Sequence, residues 1–401
     1  MSWQTVRIGD VADVMPGFAF KSKELGETGI GILKIGNITN TGTVDTQNCA
    51  RLPESFKLKK HEKFRVHDGD ILLAMTGATA GKAGRARIRE IEEFYLNQRV
   101  AKFIPRNIHP DFLWFAIGNE KYRAKFHGLG GGAAQPNMSG PQIAAVEIDL
   151  PDFKTQEKIA NILSAYDDLI ENNRRRIELL EKFAHLIYRE WFVHFRFPGH
   201  ETAKFEKGLP VGWEVKPLGE IASTNKRSHK KGKLPAKINY IDIGSVTAGS
   251  INETTEYQAD DAPGRARRIA EHTDTIWSNV RPNLRAYSLV MSPKDNDVFS
   301  TGFTVLHAET VSPYFLYLAT TNDEFVGHLV NHATGASYPA VRPDDFEIAE
   351  MTVPDNALMK QFHQLCEPSF KQRLHLMNQN QTLSKARDLL LPRLMDGRLS
   401  V

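Results

Sequence analysis

Two stretches of the chain have the hydrophobic pattern of long helices, and each follows a segment with the pattern of short strands. Residues 155–192 contain no proline or glycine, and apolar side chains recur along them at alternating steps of four and three residues. Such a repeat is typical of a helix that buries one stripe in a coiled coil. Residues 356–395 have mostly the same spacing, although Pro368 and Pro392 make it less regular. The pattern therefore predicts a β-rich segment followed by a long helix, twice.

The repeat defines a predicted seam on each helix. On the first helix it consists of Ile159, Leu163, Tyr166, Ile170, Asn173, Ile177 and Leu180, and on the second it includes Leu383, Leu390 and Leu394. Asn173 is the polar member, and a polar residue on such a seam fixes register and orientation. The alternative is a single long amphipathic helix packed against a core.

Short sequence matches between the second half of the chain and the first half occur in the same order, and the difference in residue number decreases slowly along the chain. Trp3 matches Trp213 at an offset of 210, Gly36 matches Gly244 at 208, and Pro151 matches Pro354 at 203. Deletion of a few loop residues would produce this drift. We therefore predict an internal duplication that includes the helix.

These patterns predict an α+β fold with two β-rich domains and two long helices that form an antiparallel coiled coil with an internal pseudo-two-fold. The predicted boundaries are 1–152 for the first domain, 153–197 for the first long helix, 198–208 for a linker, 209–354 for the second domain, and 355–401 for the second long helix and tail.

A rigid helix between two similar domains sets a distance between them. A helix of this length spans about 57 Å. Dimeric DNA-binding proteins contact two half-sites about 34 Å apart in the same manner. Because the two copies differ in sequence, we expect the two half-sites to differ as well.

Overall charge does not identify a ligand, since 51 Lys and Arg stand against 48 Asp and Glu for a net charge of +3. Local clusters are more informative, because residues 224–240 and 76–89 are rich in Lys and Arg. The chain starts without an apolar stretch of signal-peptide length, and no apolar run reaches the length of a spanning helix, so we expect a cytoplasmic protein. The two cysteines are too far apart for a metal or redox motif.

Arginine, asparagine, glutamine and hydroxyl side chains in loops are the residues that read base edges, while lysine and arginine bind phosphates. By these criteria the first domain has eight candidates for DNA contact: Asn37, Thr79, Lys82, Arg85, Gln98, Arg99, Gln135 and Asn137. The second domain has ten: Lys230, Lys231, Lys233, Arg265, Arg267, Arg281, Asn283, Arg285, Ser337 and Tyr338.

Several phrases resemble the specificity subunits of type I restriction-modification systems, and the resemblance covers essentially the whole chain. They are Gly69-Asp70-Ile71-Leu72-Leu73, Thr76-Gly77-Ala78-Thr79-Ala80-Gly81, Asn97-Gln98-Arg99, Gln135-Pro136-Asn137-Met138-Ser139, Leu209-Pro210-Val211-Gly212-Trp213 and Arg387-Asp388-Leu389-Leu390-Leu391-Pro392. The second domain departs from this pattern, with Tyr338-Pro339-Ala340 in the place of Gln-Pro-Asn.

The resemblance implies a mechanism in which each target-recognition domain reads one half of a split, asymmetric DNA site. The paired helices would set the unread spacer and dock two methyltransferase subunits that modify adenine, while a separate restriction subunit would translocate and cut unmodified DNA. S-adenosylmethionine, ATP and Mg would then be bound by these partners, and no cofactor by this chain. No membrane partner is implied.

The chain lacks the motifs that would make it the catalytic subunit. It has no Asn/Asp-Pro-Pro-Tyr/Phe motif, and the segment from Gly77 to Lys82 lacks the spacing of a Walker A loop. We therefore expect no catalytic, cofactor-binding or metal site. Two other interpretations remain open, namely a pseudo-dimeric DNA-binding regulator that works alone, and an interaction scaffold or uncharacterised enzyme.

Overall fold

The computed structural model describes residues 3–26, 28–56, 60–89, 91–130, 137–230 and 232–401. The chain forms two compact units. The first consists of Met1–Glu171 with Asn380–Val401, and the second of Asn172–Gln379. The two long helices thus contribute to both units, whereas each β-rich segment belongs to one.

The first unit consists mainly of short strands, with a few short helices near its end. Its strands are β1 (Gln4–Arg7), β2 (Ala12–Pro16), β3 (Ile30–Leu33), β4 (Ala50–Leu52), β5 (Arg65–Val66), β6 (Ile71–Ala74), β7 (Ala83–Arg85), β8 (Phe94–Leu96), β9 (Val100–Pro105) and β10 (Glu147–Leu150). Its shorter helices are α1 (Ile8–Val11), α2 (Pro110–Ile117), α3 (Glu120–Gly128) and α4 (Gly140–Ala144).

Among the described residues these strands form two four-stranded sheets and one pair. The sheet orders are β2-β9-β6-β7 and β4-β3-β8-β5, and β1 pairs antiparallel with β10. Strand β6 links two of the hydrophobic clusters of the unit. Its Ile71 and Leu73 point into one cluster, and its Leu72 and Ala74 into the other. Successive side chains of a strand point to opposite faces, which is why this strand is apolar at every position.

The second unit repeats this order of strands and helices and has, among its described residues, two additional strand pairs. Its strands are β11 (Phe205–Glu206), β12 (Leu209–Pro210), β13 (Glu214–Pro217), β14 (Ala222–Thr224), β15 (Lys237–Ile241), β16 (Val246–Thr247), β17 (Ser250–Ile251), β18 (Thr255–Gln258), β19 (Ala266–Arg268), β20 (Thr275–Ser278), β21 (Tyr287–Leu289), β22 (Asp297–Ser300), β23 (Phe303–Ala308) and β24 (Glu350–Val353). Its shorter helices are α6 (Leu218–Ile221), α7 (Pro313–Ala319), α8 (Asp323–His332) and α9 (Pro343–Glu347). The additional strand pairs are β11-β12 and β16-β17.

The sheets of the second unit repeat those of the first. Their orders are β14-β23-β20-β21 and β18-β15-β22-β19, and β13 pairs antiparallel with β24 as β1 does with β10. Even the parallel pairing is conserved between the copies, since β3 runs parallel to β8 and β15 parallel to β22. The duplication and the α+β class predicted from the sequence are confirmed.

The first long helix is α5 (Phe153–Tyr188), and it continues into a π-helical turn over Arg189–Val193. The second is α10 (Asn356–Met395), which matches the predicted span. Pro368 and Pro392 lie inside α10 and are exposed, and the helix continues through both. Each proline removes one backbone donor, and the burial of Phe362, Cys366 and Phe370 keeps the helix packed around the first of them.

The two helices pair antiparallel in each unit. In the first unit Arg387 binds Asp167 at 2.6 Å, and the Asn380 amide donates to the Ile170 carbonyl at 3.3 Å. In the second unit Asn173 contacts Gln379, and Arg373 binds Glu181 at 2.7 Å. In both units the residue numbers of the contacts increase along α5 while they decrease along α10, which is the pattern of an antiparallel pair.

The predicted seam is the buried face of these helices. Ile159, Leu163, Ile170, Asn173 and Leu394 are buried, and the remaining members are half-buried: Tyr166, Ile177, Leu180, Leu383 and Leu390. The seam thus combines the two sequence-based alternatives, because Ile159 and Leu163 also belong to the core of the first unit. In the described parts of the chain, no helix is both long and apolar enough to cross a membrane.

Candidate nucleic-acid interface

One end of the first unit brings four predicted residues together from three connections. Thr76 and Thr79 lie in the turn between β6 and β7, and Thr76 forms a β-bridge with Asn137. The Arg99 carbonyl accepts a hydrogen bond from the Met75 amide at 2.9 Å, and Nη1 of Arg99 donates to Oδ1 of Asn137 at 2.9 Å. Gln98, Arg99 and Asn137 are all exposed.

The corresponding end of the second unit is built on the same connections. The Val280 backbone forms a bridge with Ala340, as Thr76 does with Asn137. The Arg281 amide donates to the Pro339 carbonyl at 2.7 Å, and Nη2 of Arg281 donates to the Ser337 carbonyl at 3.2 Å.

Two more predicted residues belong to this end of the second unit. Asn283 is exposed in the turn between β20 and β21. Arg265 is exposed, and its carbonyl accepts a hydrogen bond from the Thr301 amide at 2.8 Å. The Asn279 amide in turn donates to the Gly302 carbonyl, next to Thr301. Each unit therefore presents polar and cationic side chains at one end of its central hairpin.

The turns at this end differ in one respect between the copies. In the first unit, the two left-handed positions are Gly77 and Gly81, with φ of 73° and 85°. In the second unit, the equivalent positions are Arg281 and Arg285, with φ of 51° and 55°. A left-handed conformation costs a residue with a side chain roughly 1–2 kcal/mol. The second unit thus holds two arginines where the first uses glycines.

The two arginines have different surroundings. Nη2 of Arg285 binds the Asp323 carboxylate at 2.5 Å, so its charge is neutralised by the protein. Arg281 has no carboxylate partner among the described residues. Its guanidinium lies 4.7 Å from the centroid of the Tyr338 ring, and the Tyr338 side chain is 70% exposed. Stacking of this kind orders a cation without neutralising it.

The structure removes Asn37 from the set of candidates. Its side chain is buried, and its amide nitrogen donates to the carbonyls of Asp45 and Asn48, both at 3.0 Å. Its oxygen accepts a hydrogen bond from the Lys34 amide at 2.9 Å. The prediction was wrong here because this polar residue holds a loop together, as buried polar groups usually do.

Several predicted cations are paired with carboxylates from distant segments. Arg85 binds Asp111, so its positive charge is offset inside the first unit, and Lys82 beside it is half-buried. In the basic loop of the second unit, Lys226 binds Glu309 at 2.8 Å and Arg227 binds Glu271. The loop contains no acidic residue, yet tertiary contacts supply two.

The remaining described cations before β15 are Lys230 and Lys233, both of which are exposed, while Lys237 on β15 binds Glu256 at 2.9 Å. Arg267 is half-buried on β19, and its carbonyl accepts from the His229 amide at 2.8 Å. Next to it, burial lowers the pKa of Arg268 below its usual range. Lys231 and Gln135 lie outside the described residues.

Three features of the second unit were not predicted. Leu284 is 63% exposed in the turn between Arg281 and Arg285. Asp274 is buried beside His307, and Nδ1 of His307 lies 2.7 Å from the Asp274 carboxylate. Burial raises the pKa of Asp274 above its usual value, although hydrogen bonds from Glu271 and His307 lower that pKa.

The third feature is a pair of histidines on α8. His328 and His332 are four residues apart, and their rings lie 4.1 Å apart. The prediction of no metal site, made from the sequence, did not consider this spacing. Among the described residues, no group of three or more potential ligands could hold a metal ion.

Comparison with known proteins shows which class of protein the chain resembles. The family model of the type I restriction modification DNA specificity domain matches residues 1–182. The MjaIX specificity subunit of a type I restriction enzyme from Methanocaldococcus jannaschii is 26% identical over 317 residues, which cover 76% of this chain and 73% of that protein. The MjaVIII specificity subunit of the same organism is 32% identical over 184 residues, or 45% of this chain and 43% of that protein.

The fold agrees with this class. The crystal structure of a type I restriction-modification S subunit from M. genitalium superposes with a TM-score of 0.59 at 16% identity, and the match covers 98% of this chain and 96% of that chain. Residues 1–182 thus match the DNA specificity domain of the type I class, and the second unit repeats the strand order of the first. The chain is similar in sequence to specificity subunits of type I restriction enzymes over most of its length, and similar in fold to an S subunit of that class.

Proposed function

We propose that this chain is the non-catalytic subunit that selects a bipartite, asymmetric DNA site for an adenine methyltransferase and its associated restriction subunit. One observation carries the proposal. The same end of each unit presents exposed polar and cationic side chains of the types that read bases, with Gln98, Arg99 and Asn137 in one copy and Arg281, Asn283 and Tyr338 in the other.

The side chains at the two ends are not the same, and they come from different connections of the repeated fold. In the first unit the exposed arginine, Arg99, follows β8, and in the second unit the arginine of the turn, Arg281, follows β20. Arginine, glutamine and asparagine each prefer different base edges. This difference supports two half-sites of different sequence.

The long helices are the proposed docking surface for the methyltransferase subunits. Besides the buried seam, α5 and the turn after it expose a set of large apolar side chains: Ile162, Leu169, Leu179, Phe183, Leu186 and Val193. On α10, Leu365 and Leu389 are also exposed. Exposed apolar side chains at helical spacing favour a protein partner. S-adenosylmethionine, ATP and Mg would be bound by the partner subunits.

The test is single-molecule sequencing of DNA from cells that carry this chain with a cognate methyltransferase subunit, with N6-methyladenine as the readout. The expected result is a split, asymmetric motif that disappears when this chain is deleted. A chain that binds its site tightly as a monomer and confers no methylation with a competent partner would instead favour the solitary regulator. Affinity for DNA that does not change with salt would exclude both DNA-binding interpretations, because phosphate contacts release counterions.

A further inference from the structure

We propose that Arg281 reads a guanine in the half-site bound by the second unit, and that Tyr338 is the positioning residue that orients its guanidinium group. This inference rests on the proposed function and adds to it a specificity-determining residue and the base it contacts. It depends on the backbone conformation at Arg281, on the difference between Arg281 and Arg285, and on the contacts of the guanidinium.

The left-handed backbone conformation at Arg281 does not require an arginine. The first unit makes the equivalent turn with Gly77 and Gly81 at the left-handed positions. Glycine would relieve the strain at Arg281, where φ is 51°. Backbone strain that persists at a residue with a side chain marks a position where the side chain has another use.

Arg285 has the same backbone strain but a different role. Its guanidinium binds the Asp323 carboxylate at the start of α8, which ties the turn to the helix. Arg281 makes no ion pair within the described residues, so its charge remains available to a ligand. The two arginines therefore form a natural test pair, one structural and one free to bind.

The contacts of Arg281 hold its guanidinium and leave donors unused. The Tyr338 ring covers one face at 4.7 Å, and one Nη2 bond goes to the Ser337 carbonyl. The backbone bond from Arg281 to Pro339 fixes the two loops to each other at 2.7 Å. A guanidinium has five N–H donors in one plane, and its paired edge donors match O6 and N7 of guanine in the major groove. Arginine on guanine is the commonest specific contact of this kind.

The experiment uses the complex of the full chain with its methyltransferase subunit and duplexes that carry the motif found by sequencing. Each guanine of the half-site that depends on the second unit is replaced in turn by 7-deazaguanine, which lacks the N7 acceptor. For the wild type, one such replacement should weaken binding about tenfold, the effect expected when one base-specific hydrogen bond is removed. Arg281→Gly should weaken binding of the unmodified duplex by a similar factor and should no longer respond to 7-deazaguanine at that position.

Melting temperatures and three further variants separate base reading from folding. Arg281→Gly itself should melt at the same temperature as the wild type or higher, because glycine removes the strain. Arg285→Gly is relieved of the same strain and loses only an exposed ion pair, and it should keep the response to 7-deazaguanine. Tyr338→Ala should weaken that response, and Tyr338→Phe should retain it, because phenylalanine still stacks on a cation.

Two results would overturn the inference while leaving the proposed function intact. In one, the half-site contains no guanine that responds to the replacement. In the other, Arg281→Gly responds as the wild type does. Absence of any motif dependent on the wild-type chain would overturn the proposed function and this inference with it.

Discussion

Nδ2 of Asn173 donates a hydrogen bond to Oε1 of Gln379 at 2.9 Å, between the two long helices of the second unit. Asn173 is 1% exposed, and its neighbours on the seam, Ile170 and Ile177, are apolar. Such a contact from a buried polar side chain in an apolar seam favours one register, since sliding either helix separates the two amides. This contact is consistent with the prediction that Asn173 fixes the register of the two helices.

Asn173→Ala should lower the free energy of unfolding by about 1–3 kcal/mol, because the Gln379 amide loses its partner beside a new cavity. Urea unfolding followed by circular dichroism measures the effect. Asn172→Ala is the matched control, since Asn172 is exposed on the next position of the same helix, and its change should stay within about 0.5 kcal/mol. Equal decreases in stability from both variants would contradict the register role.

Insertion of seven residues after Asn173, together with seven immediately before Gln379, should lengthen the unread spacer of the methylation motif. One heptad adds about 10.5 Å of helix, or about three base pairs of DNA. Sequencing of N6-methyladenine should show the same half-sites with a longer gap. Insertion into α5 alone disrupts the pairing and should instead abolish methylation. An unchanged gap in the double insertion would show that the helices do not set the spacer.

Replacement of Lys230 and Lys233 by glutamine should weaken binding to all DNA sequences by a similar factor. Both side chains are exposed, in a loop whose other cations Lys226 and Arg227 are held by carboxylates. The slope of log affinity against log salt should become shallower by about one for each phosphate that is no longer bound. Lys360→Gln, at an exposed position of α10, is the control. A changed motif with an unchanged slope would indicate base contacts instead.

The buried carboxyl of Asp274 should make the stability of the protein depend on pH. Burial raises its pKa above the value in the unfolded chain, so the folded state holds this proton more tightly. The stabilising effect is complete below the unfolded pKa and disappears as pH rises through the folded pKa. Relative to Asp274→Asn, the wild type should therefore become more stable as pH is lowered from neutral towards 4.

This comparison is best made in a His307→Gln background, because Nδ1 of the His307 ring lies 2.7 Å from the carboxylate. Removal of the imidazole also removes one of the interactions that lower the pKa of Asp274. The pH dependence should then be larger. A difference between Asp274 and Asp274→Asn that does not vary with pH would contradict the assignment.

Cys366 should be unreactive in the folded protein. It lies in the core of the second unit, and burial raises the pKa of its thiol to about 12. Thiolate is the reactive form, so little is present at pH 8. Iodoacetamide should modify the Cys49→Ser variant only after unfolding, whereas Cys366→Ser, which retains the half-buried Cys49, should react in the folded state. Modification of Cys366 under native conditions would contradict this.

Prediction from the sequence succeeded where the signal is local or repeated. The seam of α5 follows from spacing within one helix, and α10 was predicted over its full span despite Pro368 and Pro392. The sheet order of each unit was not predicted, because it depends on pairings such as β3 with β8 that join segments about sixty residues apart. The domain boundaries and the DNA contacts remain predictions.

The candidate interface was predicted in part for the same reason. Arg99 and Asn137 were chosen by residue type and do converge, but Asn37 has the same chemistry and is buried in a loop. The residue type determines which groups a side chain is able to bind. Its position in the folded protein determines whether a ligand can reach it.

The sequence by itself determined the duplication, the two long helices and the polar residue on their seam, because periodicity and repeats are written in the order of residues. Only the tertiary structure decided which cations are paired with a carboxylate. Lys226 pairs with Glu309 and Arg285 with Asp323, whereas Arg281 lies over Tyr338 without a carboxylate in the described part of the chain. The reason is that electrostatic neutralisation depends on distance in space, and the partners lie tens of residues apart along the chain.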